Sequence, residues 1–482
     1  MPTLARDTTR QRAGRDIAMQ VVVRIVNLAM GAFVTALVVR TLGETRYGEW
    51  STSLVTLVLV GYFANFGMQG VALREAARHP EQEHEWIGAV MLLRLMMLAP
   101  LVFVSAGVIV LLHRSDEMLI AGLILVLTMP FDGVGALSLL FQLRVDNRVP
   151  MLVLTLRSVL WGAAVVIIYL DHGHMIILAV AMAATNAVGS IVQVAAVLKL
   201  DTRIPRPSRK RLREVVRVGL SIGVSGVLIL AYARFDQIIV FVISGSGPAG
   251  LYGAVYNLID QAHFVPISVL TSLAPVLAAS WPADRARLLR TSRLTAELLA
   301  LTSLGGLAFT IAAAGPVVRL IFGPGFGAAA PALPVLAGAF VLISFGYLNG
   351  NLLVVLGLQR RLLRISLIAL ALNLIGNFIL VPLVGFMGAA WMTLLTELFV
   401  CVASFQLILR ELDQPLPKPG RIGRMVLASA LLTGLLEGLR FADASLGVLV
   451  IAACLGYPAL LFALRAVGLE DVQVLLRRAV PA

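Results

Sequence analysis

The sequence predicts an all-α polytopic membrane protein of about fourteen transmembrane helices, and three observations carry that prediction. The first is composition: of 482 residues, 59% are hydrophobic and only 13% charged, where a soluble globular chain is about 25% charged. The second is a succession of apolar runs from Ile17 to the C-terminal region, most long enough to cross a hydrocarbon core of about 30 Å. The third is the distribution of Lys and Arg between alternate loops, which accumulates on the cytoplasmic side of a membrane protein. Stretches such as Leu101 to Leu112 and Ile365 to Leu380 are almost continuously apolar. A lipid-exposed barrel requires short alternating strands instead.

The expected spans are 17–39, 50–67, 86–112, 118–141, 150–170, 175–198, 215–243, 249–279, 294–320, 329–357, 362–383, 387–409, 425–439 and 445–464. Ser244 to Gly250 is the only break between the seventh and eighth. With the N-terminus inside, the inner segments hold 29 Lys and Arg and the outer loops hold 5. A missed or invented span would exchange the sides of everything after it, so this asymmetry favours an even count with both termini cytoplasmic. The first span follows sixteen mostly polar residues without a small-residue cleavage site, and reads as an uncleaved anchor.

The same bias accounts for most of the net charge of +13, because basic residues in short loops lie beside anionic headgroups. The membrane lipids are thus one partner, and nucleic acid is not expected. The basic stretch Arg203 to Arg217 has no interleaved aromatic residues and reads as a solvated linker. Cys401 and Cys454 fall inside spans without metal-ligand spacing, so no metal, disulfide framework or cofactor is expected.

Two halves are expected. Tyr47-Gly48 opens the second span and Tyr252-Gly253 the eighth, 205 residues later; Arg148 and Gly173 match Arg360 and Gly385 at an offset of 212. Spans one to six thus map onto seven to twelve, related by an axis along the membrane normal. The organisation follows: a tail at 1–16, an N-lobe at 17–199, a basic linker at 200–214, a C-lobe at 215–409, a loop at 410–424, and helices thirteen and fourteen with a tail at 425–482.

The segment from Asn373 through Asn377, Pro382, Gly385 and Gly388 to Thr393 and Glu397 resembles the eleventh-to-twelfth helix hairpin of bacterial polysaccharide-biosynthesis flippases. These are the O-antigen and oligosaccharide lipid flippases of the multidrug/oligosaccharidyl-lipid/polysaccharide superfamily. Leu42 to Gly48, Asn65 to Glu75, Asp236 to Ile239 and Gly250 to Gly253 fit the same pattern, so that nearly the whole chain is covered. Trp391-Met392 stands where smaller residues are usual, which bears on local packing. The resemblance implies two six-helix lobes in a V around a central cavity, working by alternating access. It implies transport of an undecaprenyl-diphosphate-linked oligosaccharide from the cytoplasmic to the periplasmic leaflet, for O-antigen, capsule or exopolysaccharide synthesis at the bacterial inner membrane. Other polysaccharide assembly proteins are the further partners it points to. Independently of the family, Pro382 ends a helix and the glycines at 385 and 388 permit a tight turn and close helix approach.

Five arginines remain after the loops are counted: Arg24, Arg94, Arg157, Arg217 and Arg234. Arg217 is near enough to a helix end to snorkel. An arginine at mid-bilayer costs roughly 2.5–3.5 kcal/mol on the mildest scale, so the others require a reason. Arg24, Arg94 and Arg157 each lie about seven or eight residues, roughly 10–12 Å, inside spans that enter from the cytoplasm. They are candidates for one cationic shelf that meets a diphosphate through charge-assisted guanidinium contacts. The alternative is pairing with helix-end carbonyls or lipid phosphates. The resemblance places the first, second, seventh and eighth helices around the cavity, which favours Arg24.

Arg234 lies nearer the outer face and is a candidate for an exit site, against an alternative inter-helix contact. Asp236, two residues on, is poorly placed to pair with it. Asp236, Asp260 and His263 are gating or coupling candidates; Asp260 and His263, three apart, share a helix face. Pro266 and Pro275, like Pro331 and Pro334, are candidate bending points. Glu397 and Asp132 read as structural partners of nearby polar groups.

No acid occurs in the first span, which counts against a cation-coupled drug antiporter of the same superfamily. A flippase for the lipid-linked peptidoglycan precursor is the nearest rival. A saccharide polymerase or ligase would need paired acids or an activated base on a sizeable outer loop, and the outer loops are short. No Walker loop occurs. The chain is accordingly expected to be a carrier and not an enzyme.

Overall fold

The computed structural model describes residues 2–65, 68–143, 148–200, 207–413 and 419–467. Among them there is no strand. The helices are α1 (Pro2–Asn65), α2 (Met68–Arg78), α3 (Glu83–Leu112), α4 (Asp116–Val126), α5 (Met129–Val134), α6 (Ser138–Leu143), α7 (Arg148–Leu170), α8 (Met175–Leu200) and α9 (Arg209–Ser244). They continue as α10 (Ser246–Ala262), α11 (Phe264–Ser280), α12 (Arg285–Phe322), α13 (Ala332–Val355), α14 (Gln359–Val384), α15 (Phe386–Leu412), α16 (Pro419–Phe441) and α17 (Leu446–Ala463). Eleven segments among the described residues are long and apolar enough to cross a bilayer unaided, and twelve if the bent pair of late α1 and α2 counts as one.

Within the described residues every expected span falls on helix, but four differ in form, and residues 66–67 at the end of the second lie outside the described residues. The first and second are parts of α1, interrupted at Gly43 (φ 70°, ψ −179°), a conformation open essentially to glycine alone. The fourth is not one helix: it is broken into α4, α5, a 3-10 turn at Gly135–Leu137 and α6. Pro130 cannot donate to α4 and instead occupies the first turn of α5, where its missing N–H costs nothing. The eighth divides at His263 into α10 and α11, with Pro266 in the first turn of α11. Pro331 and Pro334, expected as bending points, stand instead at the start of α13.

The repeat has a different register from the one the Tyr-Gly pairs indicate. Gly245, which closes α9 (φ 96°, ψ −179°), repeats the backbone of Gly43 at an offset of 202. Five residues beyond each break, Gly48 and Gly250 face each other. A Cβ on Gly48 would come within 1.8 Å of the Ser246 carbonyl oxygen, and one on Gly250 within 2.0 Å of the Glu44 oxygen. The two helices therefore touch backbone to backbone, which only glycine permits. Beside the crossing, buried Glu49 accepts hydrogen bonds from Ser115 (2.7 Å) and Ser246 (3.5 Å).

The chain folds into two compact units: residues 33–254 with 366–393, and residues 1–32, 255–365 and 394–482. In the first unit a core around Trp86, Ile87, Leu140 and Phe141 joins α2, α3 and α6 to α8 and α9. The α14–α15 turn also belongs to it: Gly385 has φ 62°, a Cβ on Gly388 would lie 2.6 Å from the Leu380 carbonyl carbon, and Met392 packs on Gly376. Met392, the larger residue at that point of the hairpin, thus fills space its own helix pair provides. In the second unit α12 is central, packed by α11 and α13 through Leu277, Leu299 and Leu352, and by α16 and α17 through Ala312, Leu432 and Leu449. There Arg421 pairs with Glu297 at 2.8 Å.

Candidate functional site

A cavity of about 1040 Å³ opens within the first unit, lined by the last turns of α1 with α2, α3, α4, α5, α7 and α8. The break in the fourth span makes part of its wall, through Thr128, Met129 and Pro130. Two of the four arginines singled out by sequence, Arg94 and Arg157, line it together. Both helices begin earlier than expected, so Arg94 is eleven residues and Arg157 nine residues beyond the first residue of its helix, about 16 and 14 Å along the helix axis at 1.5 Å per residue.

The two arginines are placed differently. Arg94 is only 6% exposed and donates from Nη2 to Gln69 Oε1 at 3.2 Å. The aliphatic stem of Arg157 lies over Gly189, where a Cβ would come within 2.3 Å of its Cγ. Tyr62 and Asn186 add hydrogen-bonding groups to a wall otherwise mostly of Leu, Met and Val. No carboxylate stands among the described lining residues.

The remaining candidates are distributed elsewhere. Arg24 and Asp132 lie outside the residues whose side chains are described. Arg234 is partly buried in α9. Asp236 is 1% exposed and is surrounded by donors: Tyr252 Oη and Thr393 Oγ1 (3.1 Å) to Oδ2, and the Gln237 amide (2.7 Å) to Oδ1. Gln237 Nε2 in turn donates to Ser51 (2.8 Å). This node ties α9 to α10, α15 and late α1. Asn377 donates to the Asn373 carbonyl (2.8 Å) and side-chain oxygen (3.0 Å), stiffening α14 beside the turn.

In the second unit Asp260 Oδ1 and His263 Nδ1 are 3.1 Å apart. The imidazole stacks on Phe340 at 5.5 Å and meets Tyr347 edge-on at 6.1 Å. Glu397 is buried in the same unit. Another cavity, of about 640 Å³, is lined by α12, α16 and α17 and carries no charged side chain.

Gln69, Asn186, Gly189, Tyr252 and Thr393 were not singled out by sequence as site residues. Gln69, Tyr252 and Thr393 each lie in a segment that the resemblance covers, whereas Asn186 and Gly189 had no signal.

The model of the family described as polysaccharide biosynthesis protein matches residues 13–281, more than half of the chain. The chain belongs to this family. An uncharacterised membrane protein of Methanocaldococcus jannaschii is 28% identical over 187 residues, which are 38% of this chain and 36% of that protein. Among solved structures, the lipid II flippase MurJ in an inward closed conformation matches with a TM-score of 0.72 at 11% identity, over 92% of this chain and 98% of MurJ. An inward-facing MATE multidrug resistance transporter of the MOP superfamily matches with a TM-score of 0.66 at 15% identity, over 81% and 98%. At these identities the likeness is one of fold. The polysaccharide biosynthesis family member is thus a multi-pass membrane protein with the fold of MOP flippases and transporters.

Proposed function

We propose that this protein flips an undecaprenyl-diphosphate-linked oligosaccharide from the cytoplasmic to the periplasmic leaflet of the bacterial inner membrane by alternating access, for surface polysaccharide assembly. The observation that carries this reading is the pair Arg94 and Arg157 on one cavity deep in the helical bundle. Arginines inside a membrane protein mark a substrate path by default, and a lipid diphosphate offers the charge and the acceptor geometry that guanidiniums bind. Arg24 and Arg234 extend the path in this account, between an N-lobe of 17–199 and a C-lobe of 215–409, and Asp236, Asp260 and His263 would couple it to an ion gradient. Both termini would be cytoplasmic, on the charge asymmetry of the loops. The protein then acts as a carrier, with no chemical step of its own.

A lipid-linked peptidoglycan precursor is the second reading, favoured by the likeness to the MurJ fold. The drug-antiporter reading is disfavoured by a cavity whose charged side chains, among the described lining residues, are basic, since such a wall repels organic cations. The test is flipping of a fluorescent undecaprenyl-diphosphate-oligosaccharide in proteoliposomes, parent against Arg94→Gln/Arg157→Gln at matched reconstitution. The expected result is transport by the parent and at least about tenfold less by the variant, the worth of one charge-assisted hydrogen bond. A parent that moves no lipid-linked saccharide and exchanges an organic cation for protons would refute it.

A further inference from the structure

The second unit gathers arginines at one end. Trp281 before α12, Leu288 and Leu289 at its start, Leu356 and Leu362 where α13 passes into α14, and Ile408 and Leu412 at the close of α15 all pack in one core. Arginines flank these residues in the chain: Arg287 and Arg290 beside Leu288 and Leu289, Arg360, Arg361 and Arg364 around Leu362, and Arg410 between Ile408 and Leu412. All six are exposed.

The acids at these helix ends are few. Asp284 caps α12, accepting from the Arg287 amide at 2.8 Å, and Glu411 and Asp413 stand at the end of α15. Among the described residues no ion pair joins any of the six guanidiniums to an acid. The first unit differs, because acids answer several of its arginines at helix ends. There Arg74 lies 2.9 Å and Arg78 3.5 Å from Glu75, and Arg211 lies 2.6 Å from Glu214.

Position along the helices says what answers the surplus charge. Both α14 and α15 are long and apolar enough to cross a membrane. Arg360, Arg361 and Arg364 occupy the first two turns of α14, which then runs straight into the apolar stretch Ile365 to Leu380. Arg410 is in the last turn of α15. Their guanidiniums therefore stand at the level of the lipid headgroups. Trp281, in the same core, marks that level as well, since tryptophan gathers at the membrane interface. A guanidinium presents a planar fork that takes two phosphate oxygens together, and a cluster of them favours headgroups of net negative charge.

We propose that this end of the second unit is a docking surface for the anionic phospholipids of the bilayer, with their phosphates on Arg360, Arg361, Arg364 and Arg410, and with Arg287 and Arg290 adding to the field. The protein then gathers such lipids about its second unit in preference to its first. This holds whatever substrate the protein carries.

The experiment reads energy transfer from tryptophan to a trace of dansyl phosphatidylglycerol or dansyl phosphatidylcholine, with the full-length protein in phosphatidylcholine nanodiscs. The parent is expected to prefer phosphatidylglycerol by about tenfold or more. Arg360→Gln/Arg361→Gln/Arg364→Gln is expected to lower that preference by about fivefold or more, the worth of one basic residue at an anionic surface. Arg74→Gln/Arg78→Gln, which removes arginines already paired with Glu75, should leave the preference unchanged, and high salt should reduce it. Should the triple variant not yield monodisperse protein, Arg287→Gln/Arg290→Gln, on a different helix, decides by a smaller loss of the same sign.

An unchanged preference in the variants of the second unit overturns the proposal. An equal loss in Arg74→Gln/Arg78→Gln would make the preference a property of every basic loop and overturns it too. Stronger displacement of the probe by deca-glutamate than by phosphatidylglycerol would assign the surface to an acidic protein segment, and stronger displacement by geranylgeranyl diphosphate would assign it to a prenyl lipid; either result overturns the proposal.

Discussion

The two halves of the chain share a scaffold and differ in the side chains they set on it. Both open with a long helix broken at a positive-φ glycine, Gly43 in one and Gly245 in the other, and both then place a second glycine, Gly48 or Gly250, at a backbone contact. In the first half the charged groups lining a cavity are the guanidiniums of Arg94 and Arg157. In the second, Asp236 and Glu397 are buried and Asp260 lies against His263, while the cavity between α12, α16 and α17 has no charged side chain among its described lining residues. The repeat keeps what backbone geometry demands, at Gly43, Gly48, Gly245 and Gly250, and the side chains set on that backbone differ between the halves.

The largest expected effect breaks the shared part. Gly48→Leu and Gly250→Leu each drive a side chain into a facing backbone, and overpacking that costs about 1–3 kcal/mol where side chains can yield costs more where they cannot. Both variants should lose the monodisperse peak in size-exclusion chromatography to a similar degree. Unequal losses would show that the crossing is not a symmetric device.

Next in size is a comparison of the two charge sets. Arg94→Gln/Arg157→Gln should reduce binding of the lipid-linked saccharide by about two factors of ten if the arginines act independently. Asp260→Asn/His263→Gln should leave that binding unchanged while lowering the rate of gradient-driven flipping. If the acidic-half variant loses binding as well, the division of labour is wrong.

A smaller effect is expected at the Asp236 node. Tyr252→Phe removes one donor from a buried carboxyl group and should lower stability by about 1–3 kcal/mol, read as a lower thermal midpoint. Thr393→Val should cost less, since Tyr252 and the Gln237 amide still donate. Smallest of all is Gly189→Ala: the Arg157 stem can shift to admit one methyl group, so stability should change little and only affinity for the lipid-linked saccharide should fall, by a few-fold.

Much of this was legible in the sequence because a bilayer is an exacting solvent. Long apolar runs announce helices, so the span positions could be read directly, and Arg94 and Arg157 stand out against Leu and Val, but the sequence does not say which of its intramembrane arginines share a cavity. Contacts between distant residues could not. Nothing near Asp236 announces that Tyr252 and Thr393 will donate to it, and nothing near Arg157 marks Gly189 as the surface its stem lies on. The repeat register was misplaced because Tyr-Gly dipeptides are short and recur, whereas the feature that sets the register is a backbone conformation at Gly43 and Gly245. Pro130 lies in plain view within an apolar run, but whether a proline kinks a span or divides it depends on the packing around α4 to α6.

The most direct measurement is a single-particle map of the protein in nanodiscs with a bound prenyl-diphosphate-linked saccharide. The account predicts density for the phosphates beside the guanidiniums of Arg94 and Arg157. A bound ligand whose phosphates lie elsewhere, with the cavity filled by a sugar or by a bilayer lipid, would contradict it.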